Sequence, residues 1–114
     1  MSFINSKVSV KINKEKELIL KEKLGKAISL IPGKSESWLM VGFEDEYRLY
    51  FKGEASPKTA FVEVKIFGSA KRSDYEKLTA AICEIYQEVL DIPGDKIYVK
   101  YEEVSNWGWN GGNF

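Results

Sequence analysis

The start of the chain offers a group that could do acid–base chemistry, the α-amine of a terminus that runs directly into a β-strand. The even-numbered residues from Ile4 to Val10 point to one side of this predicted strand and the odd-numbered ones to the other. Because a sheet holds such a strand in place, we expect little fraying and no leader in front of it. An α-amine has an ordinary pKa of about 7.7–8.0, and burial lowers that pKa because it disfavours the cation. A buried terminal amine can act as a base near neutral pH, although the same pattern also fits an edge strand whose amine has no chemical role.

Other reactive combinations are few. The chain has no histidine, which excludes serine–histidine and cysteine–histidine nucleophile pairs and the usual zinc ligand sets. The single cysteine, Cys83, excludes an internal disulfide and fits a reducing compartment, and we interpret it as a small buried hydrophobe of a helix. The acidic turn at residues 44–46 has no second group of ligands, and no helix follows the segment 110–113, so we expect neither a metal site nor a phosphate loop there. No cofactor is expected.

The composition is typical of one globular domain. The chain has 114 residues, of which 44% are apolar and 30% are charged. With 17 basic and 17 acidic residues its net charge is zero, which gives no electrostatic reason to expect binding to nucleic acid or to an anionic membrane. No apolar run approaches the length of a membrane span or of a signal-peptide core. We therefore expect a cytoplasmic protein, and export without a leader remains open.

The first half of the chain is predicted to form a strand, a helix and two further strands. Apolar residues recur at helical spacing after a polar N-cap, and a Pro-Gly pair ends the helix. The nearly continuous apolar run that follows predicts a strand buried on both faces. The segments are the N-cap Asn13, the helix from Lys14 to about Ile31, the stop at Pro32-Gly33, the strand 38–43, the short strand Tyr47–Phe51 and the loop Gly53–Thr59.

The second half repeats this order of elements. An alternating strand ends at a glycine, a capping box precedes the next helix, and a second Pro-Gly pair leads into the last long strand. The segments are the strand 61–67 ending at Gly68, the capping box Ser73 with Glu76, the helix to about Leu90, the stop at Ile92-Pro93-Gly94 and the strand Lys96–Tyr101.

This internal repeat predicts the fold. We expect a single domain over residues 1–114, built as a pseudo-repeat of residues 1–57 and 58–114. Two right-handed β-α-β units predict an α+β two-layer sandwich, in which a four-stranded mixed sheet carries two helices on one face. The other face has no helix to cover it, and Trp38, Met40, Phe67 and Tyr98 are too apolar for solvent. We therefore expect that face or its edges to meet another subunit, in a trimer or dimer rather than a monomer.

A resemblance to a known family extends along the whole chain. It is carried by the β-α-β repeat, Gly33-Lys34 before the second strand, Gly68, Ile97-Tyr98-Val99, and the ending Asn106-Trp107-Gly108-Trp109-Asn110-Gly111-Gly112-Asn113-Phe114. On these residues the chain resembles the macrophage migration inhibitory factor family of the tautomerase superfamily, as a bacterial-type member with Ser2 in place of the N-terminal proline. The tail is its most specific part, although tail aromatics alone could also plug the sheet end or pack on a neighbouring subunit.

The resemblance implies a homotrimer whose sheets line a central barrel, with active sites between adjacent subunits. In the family an N-terminal proline, exposed when the initiator methionine is removed, is the base in keto–enol tautomerisation of compounds such as phenylpyruvate and dopachrome derivatives. An amine in an apolar pocket has a lowered pKa and can move a proton between carbon and oxygen. A nearby cation and backbone N–H groups stabilise the enolate that develops.

The resemblance also implies roles for individual residues. Lys34 matches the pocket lysine and would hold a substrate carboxylate, although a lysine after Pro-Gly is more often a solvated turn residue. Phe67 stands where the family has an aliphatic residue whose backbone N–H contacts substrate. Tyr98 matches a tyrosine that the neighbouring subunit contributes, and Lys100 replaces a common asparagine, which makes the pocket more cationic. An apolar wall beside two lysines suits an aromatic carboxylate, and the wall is matched by Trp107, Trp109 and Phe114.

Ser2 is the departure that leaves the function open. Methionine before a small residue is expected to be trimmed, which leaves Ser2 with a primary amine, a weaker base than that of proline. If Met1 stays, the Ser2 nitrogen is an amide without basicity, and an altered residue 2 is a further alternative. We expect a weakened phenylpyruvate or dopachrome tautomerase-like isomerase that acts on small aromatic α-keto or enol carboxylic acids. The alternatives are a non-catalytic small-molecule or cytokine-type binding protein of the same fold, and an enzyme that forms an imine at Ser2 or Lys34.

Overall fold

Two helices lie on one face of a four-stranded mixed sheet. The computed structural model describes residues 1–55 and 58–114, so the predicted loop Gly53–Thr59 lies partly outside the described residues. In chain order the elements are β1 (Ser2–Val8), α1 (Lys14–Ala27), β2 (Leu39–Glu44), β3 (Tyr50–Phe51), β4 (Glu54–Ala55), β5 (Ala60–Phe67), α2 (Arg72–Leu90), β6 (Ile97–Val104), β7 (Gly108–Trp109) and β8 (Gly112–Asn113), with single 3-10 turns at Ile28–Leu30, Glu36–Trp38 and Gly94–Lys96.

The strand order of the main sheet is β2-β1-β5-β6. β1 runs parallel to β2, β5 runs parallel to β6, and β1 and β5 pair antiparallel in the centre. Each half of the chain therefore forms one β-α-β unit, and the predicted α+β sandwich is confirmed. β3 with β4 and β7 with β8 form two small antiparallel hairpins apart from the main sheet.

The core lies between the helices and the sheet. Alternate residues of β1 and of β5 are buried, as the period of two in their sequences predicts. Each helix turns an apolar stripe towards them. The largest fully buried side chains include Ile4, Leu20, Leu24, Ile28, Ile66, Leu78, Ile82 and Tyr86.

Both helices differ at one end from the sequence-based prediction. α1 ends at Ala27 because the chain tightens into a 3-10 turn before Pro32. α2 begins at Arg72, and the Asp74 side chain accepts a hydrogen bond from the Lys71 N–H at 3.3 Å. The predicted capping box of Ser73 and Glu76 is therefore wrong by two residues. Neither helix of the described chain is long and apolar enough to cross a membrane.

The strands of the first half also differ from prediction. Trp38 belongs to a 3-10 turn, and β2 is an edge strand in which Met40 is 69% exposed, so burial on both faces is wrong for the single chain. The short strand begins at Tyr50 rather than at Tyr47, because the Tyr47 N–H donates to the Val8 carbonyl oxygen at 2.9 Å. Because the Tyr47 N–H is bonded to β1, it cannot form a hairpin hydrogen bond with β4.

Candidate active site

A cleft opens where β1 begins. Its volume is about 410 Å³, and its walls are predominantly apolar. Because β1 lies between β2 and β5, residues from both neighbouring strands and from the C-terminal hairpin reach this end of the sheet. The lining residues are Met1, Ser2, Phe3, Ser37, Trp38, Leu39, Met40, Lys65, Trp107 and Trp109.

The terminal amine of Met1 lies beside a cation. Partial burial is the main cause that holds the pKa of this amine below its ordinary value of 8.0, and the positive charge and hydrogen bonding of Lys34 lower that pKa further. Lys34 is itself fixed by Phe67, whose carbonyl oxygen accepts a hydrogen bond from Lys34 Nζ at 2.6 Å. The sequence therefore places a lysine where it favours a neutral amine.

The turn after α1 explains how Lys34 reaches this position. Gly33 has a φ of +82°, a conformation that glycine adopts without strain. The Lys34 N–H then donates to the Ile31 carbonyl oxygen at 3.0 Å and closes the turn. The Pro-Gly stop thus reverses the chain and aims the lysine at the start of the sheet.

Ser2 lies at the base of the cleft and is only 2% exposed. It pairs with Leu39 of β2 on one side and with Ile66 of β5 on the other. With Met1 attached, the Ser2 nitrogen is an amide, and the Met1 carbonyl oxygen accepts a hydrogen bond from the Phe67 N–H at 2.9 Å. The cleft can have a basic nitrogen at Ser2 only after Met1 has left.

Trp107 and Trp109 form one wall of the cleft, and Phe114 packs against Trp109. The Trp38 and Trp109 rings meet edge to face with centroids 5.4 Å apart, and Phe114 lies 6.1 Å from Trp109 and 6.0 Å from Phe67. The Phe114 N–H donates to the Trp107 carbonyl oxygen at 3.1 Å, which holds the tail against the hairpin. Such clusters favour a planar apolar ligand.

Two residues predicted for the site lie elsewhere in the single chain. Tyr98 pairs in register with Phe61, whereas Phe67 pairs with Val104, so six residues of strand, roughly 20 Å, separate Tyr98 from the end that holds Ser2. Lys100 points from the same strand and forms an ion pair with Glu102 at 2.8 Å. That a neighbouring subunit brings these two residues to the cleft stays a prediction.

Tyr98 lines a smaller cleft at the opposite end of the sheet. This cleft has a volume of about 240 Å³ and includes residues of the β3–β4 hairpin. The Tyr98 ring meets Phe51 edge to face, with centroids 5.3 Å apart. The described residues therefore form one cleft at the start of β1 and another at the start of β5.

Sequence reasoning did not assign Phe3, Trp38 or Lys65 to the site. Phe3 and Lys65 are direct partners in the β1–β5 ladder, and both line the cleft. Strand alternation predicts the face on which each lies, but not the register that brings them together. Among the described residues, no group of acidic or cysteine side chains is arranged to hold a metal ion.

The whole chain matches one known family. A family model described as macrophage migration inhibitory factor (MIF) matches residues 2–114. The chain belongs to the macrophage migration inhibitory factor family. The resemblance seen in Gly33-Lys34 and in the aromatic tail is therefore confirmed for the family.

Solved MIF-family structures share the fold along their full length. Leishmania major MIF2 is 31% identical, with a TM-score of 0.92 over 100% of this chain and 97% of that one. A MIF homologue from Prochlorococcus marinus is 32% identical, with a TM-score of 0.88 over 98% of each chain. A MIF-like protein from Entamoeba histolytica, 23% identical, has a TM-score of 0.87 over 99% of this chain and 98% of that one. A comparison with curated proteins finds no match.

Proposed function

We propose that this chain is a keto–enol tautomerase that acts on small aromatic α-keto or enol carboxylic acids such as phenylpyruvate. The observation that carries the proposal is the placement of Lys34 beside the terminal amine of Met1 at an aromatic cleft, where burial and the cation lower the pKa of that amine. We expect the same two causes to act on the Ser2 amine once Met1 has left. A neutral amine in such a cleft is a competent base near neutral pH. The working base is the Ser2 amine, which removal of Met1 exposes.

In this mechanism the neutral Ser2 amine removes a proton from the carbon next to the keto group. The C–H electron pair forms the enolate double bond and the electron pair of the keto C=O double bond moves to its oxygen. The ammonium group then gives its proton to that oxygen, directly or through water, which yields the enol and restores the neutral amine. Lys34 holds the substrate carboxylate as a point charge. The Phe67 N–H, which no longer has the Met1 carbonyl as its acceptor, can donate to the oxygen on which charge develops.

The working form in this proposal is a cytoplasmic homotrimer. The exposed apolar side chains of Met40 and Tyr98 on the uncovered face and edges of the sheet favour contact with other subunits. A neighbouring subunit would then add Tyr98 and Lys100 to the cleft at Ser2. The trimer therefore completes the substrate pocket.

A non-catalytic binding protein is the second candidate, and one observation favours it. Ser2 supplies a primary amine in place of proline's secondary amine, and while Met1 is attached it supplies none. The aromatic wall of Trp107, Trp109 and Phe114 does not depend on that amine. It could bind a planar ligand without turnover.

The test combines intact mass with a phenylpyruvate tautomerisation assay on wild type and Ser2→Pro. We expect a mass without Met1, turnover by the wild type and faster turnover by Ser2→Pro. An inert wild type beside an active Ser2→Pro variant would show a competent pocket in a protein that has lost the reaction. If both are inert while the oligomer is intact, the tautomerase proposal is wrong and the binding function replaces it.

A further inference from the structure

Besides Lys34, which lies beside the Met1 amine, a second cation stands near Ser2. Lys65 lines the cleft and stands directly opposite Phe3 in the β1–β5 ladder. Its Nζ lies 5.9 Å from the centre of the Phe3 ring, a distance at which a cation and an aromatic face attract each other. The ring therefore holds the charged end of Lys65 along the cleft wall.

The carboxylates that neighbour Lys65 are engaged by other lysines. Glu63, two residues away on the same strand face, forms an ion pair with Lys7 at 2.7 Å. Glu102, its partner in the β5–β6 ladder, forms an ion pair with Lys100 at 2.8 Å. Within residues 1–55 and 58–114, Lys65 itself forms no ion pair.

The Lys34 cation, beside the Met1 amine, is also engaged by a neutral group. Its Nζ donates to a neutral acceptor, the Phe67 carbonyl oxygen, and the described part of the chain gives it no carboxylate partner. A cleft whose charges have one sign concentrates ligands of the opposite sign. A ligand with a single carboxylate would neutralise only one of these two cations.

We infer that the substrate carries two anionic groups, with Lys34 holding the carboxylate attached to the keto carbon and Lys65 holding the second group at the other end of the substrate. This inference rests on the proposed tautomerase function and narrows its substrate class to keto or enol acids with a second carboxylate. Lys65 is then a specificity-determining residue. It acts on the remote end of the substrate and leaves proton transfer to the amine.

The test compares phenylpyruvate with two para-substituted analogues that differ in charge. We expect the KM of para-carboxyphenylpyruvate to be about fivefold lower than that of the neutral para-methyl compound, because a partly exposed ion pair contributes modestly. Lys65→Gln should remove that preference and Lys65→Arg should keep it. Lys21→Gln makes the same charge change on the exposed side of α1 and should leave the preference intact. Added salt should weaken the preference.

Binding supplies a readout that does not require turnover. The three tryptophans of the chain, Trp38, Trp107 and Trp109, all line the cleft, so quenching of their fluorescence gives dissociation constants for both analogues. Equal affinities, or a preference that survives in Lys65→Gln, would overturn the inference even in an active tautomerase. If no compound is turned over, the proposed function fails, and a charge preference that Lys65→Gln removes still supports the Lys65 site.

Discussion

The main-chain N–H of Phe67 donates to the carbonyl oxygen of Met1 at 2.9 Å, while the carbonyl oxygen of Phe67 accepts a hydrogen bond from Lys34 at 2.6 Å. Both polar main-chain groups of Phe67 are thus engaged around the first residue. Loss of Met1 would change this arrangement at two points, because it exposes the Ser2 amine and releases the Phe67 N–H. In the proposed mechanism the first residue would therefore block both the base and a hydrogen-bond donor to the enolate.

Retention of Met1 should abolish most activity. Protein made with methionine aminopeptidase inhibited would keep the Phe67 N–H bonded to Met1 and the Ser2 nitrogen as an amide. We expect kcat/KM for phenylpyruvate to fall by at least about a hundredfold, the effect of losing a general base or an oxyanion donor. Intact mass verifies the two forms, and circular dichroism should show the same fold in both. Equal activity of the two forms would exclude Ser2 as the base.

The pH–rate profile should report the lowered pKa of the terminal amine. Only the neutral amine is a base, so kcat/KM should decline as the pH falls through the pKa of the Ser2 amine. Burial and Lys34 hold the pKa of the Met1 amine below 8.0, and we expect them to lower the pKa of the Ser2 amine in the same direction. Lys34→Met removes a cation that disfavours the ammonium form, so the acidic limb should move to higher pH, towards 8.0. The same variant should raise KM about tenfold, because a charge-assisted contact to the substrate carboxylate is lost. A midpoint that does not move in Lys34→Met would separate this lysine from the base.

Tyr86→Phe should destabilise the protein. The Tyr86 hydroxyl donates to Ser6 Oγ inside the core, where both residues are fully buried, and burial raises the pKa of the phenol so that it stays a neutral donor. Removing it leaves the Ser6 hydroxyl without that partner, at a cost of about 1–3 kcal/mol in the free energy of unfolding. Urea denaturation measures the loss.

The double variant Ser6→Ala/Tyr86→Phe is the control for that prediction. Because it removes both polar groups, it should recover much of the stability that Tyr86→Phe loses. A double variant less stable than Tyr86→Phe would show that packing, rather than the buried hydroxyl pair, accounts for the effect.

The ion pair of Lys7 and Glu63 should contribute to stability above acidic pH. Lys7 donates to Glu63 at 2.7 Å, and this hydrogen bond lowers the pKa of the Glu63 carboxyl from 4.5. Since the folded-state pKa is the lower one, the stabilisation is present above pH 4.5 and is lost as the pH falls through the lowered value. Glu63→Gln should therefore cost roughly 0.5–1 kcal/mol at pH 7 and almost nothing in strong acid.

Glu17→Gln is the matched control for the ion pair. Glu17 pairs with Lys14 at 3.2 Å on the surface of α1, where the Lys14 side chain is 78% exposed. Its loss should cost no more than about 0.5 kcal/mol. If the two substitutions have equal effects on denaturation at pH 7, the partial burial of Glu63 gives the sheet pair no advantage.

Much of the framework could be predicted from the sequence. The period of two in β1 and β5, the apolar stripes of the helices and the repeated Pro-Gly stops fix the two β-α-β units. The first residue of α2 could not be predicted, because the N-cap is Lys71 and lysine is not among the residues favoured at an N-cap. The exposure of β2 could not be predicted either. An apolar run is equally typical of a central strand and of an edge strand that contacts another subunit.

The candidate site was predictable only in part. Lys34 and the tail aromatics were found because they match a family pattern, and the structure brings them to one end of the sheet with Ser2. Lys65 was not predicted as a site residue, because its position beside Phe3 depends on the register between β1 and β5. That register is set by packing between segments that are far apart in the sequence. Tyr98 lies at the far end because parallel pairing with β5 places it opposite Phe61.

The two clefts correspond under the internal repeat, since Phe3 faces Met40 in β1–β2 as Phe61 faces Tyr98 in β5–β6. Where the first cleft has Met1, the second has Thr59, whose nitrogen is an ordinary peptide N–H that donates to Ser9 Oγ at 2.9 Å. A polypeptide has one amino end, so under the proposed mechanism only one of the two β-α-β units would have a terminal amine at its cleft. The second unit would then have no part in proton transfer, and its cleft would serve contacts alone.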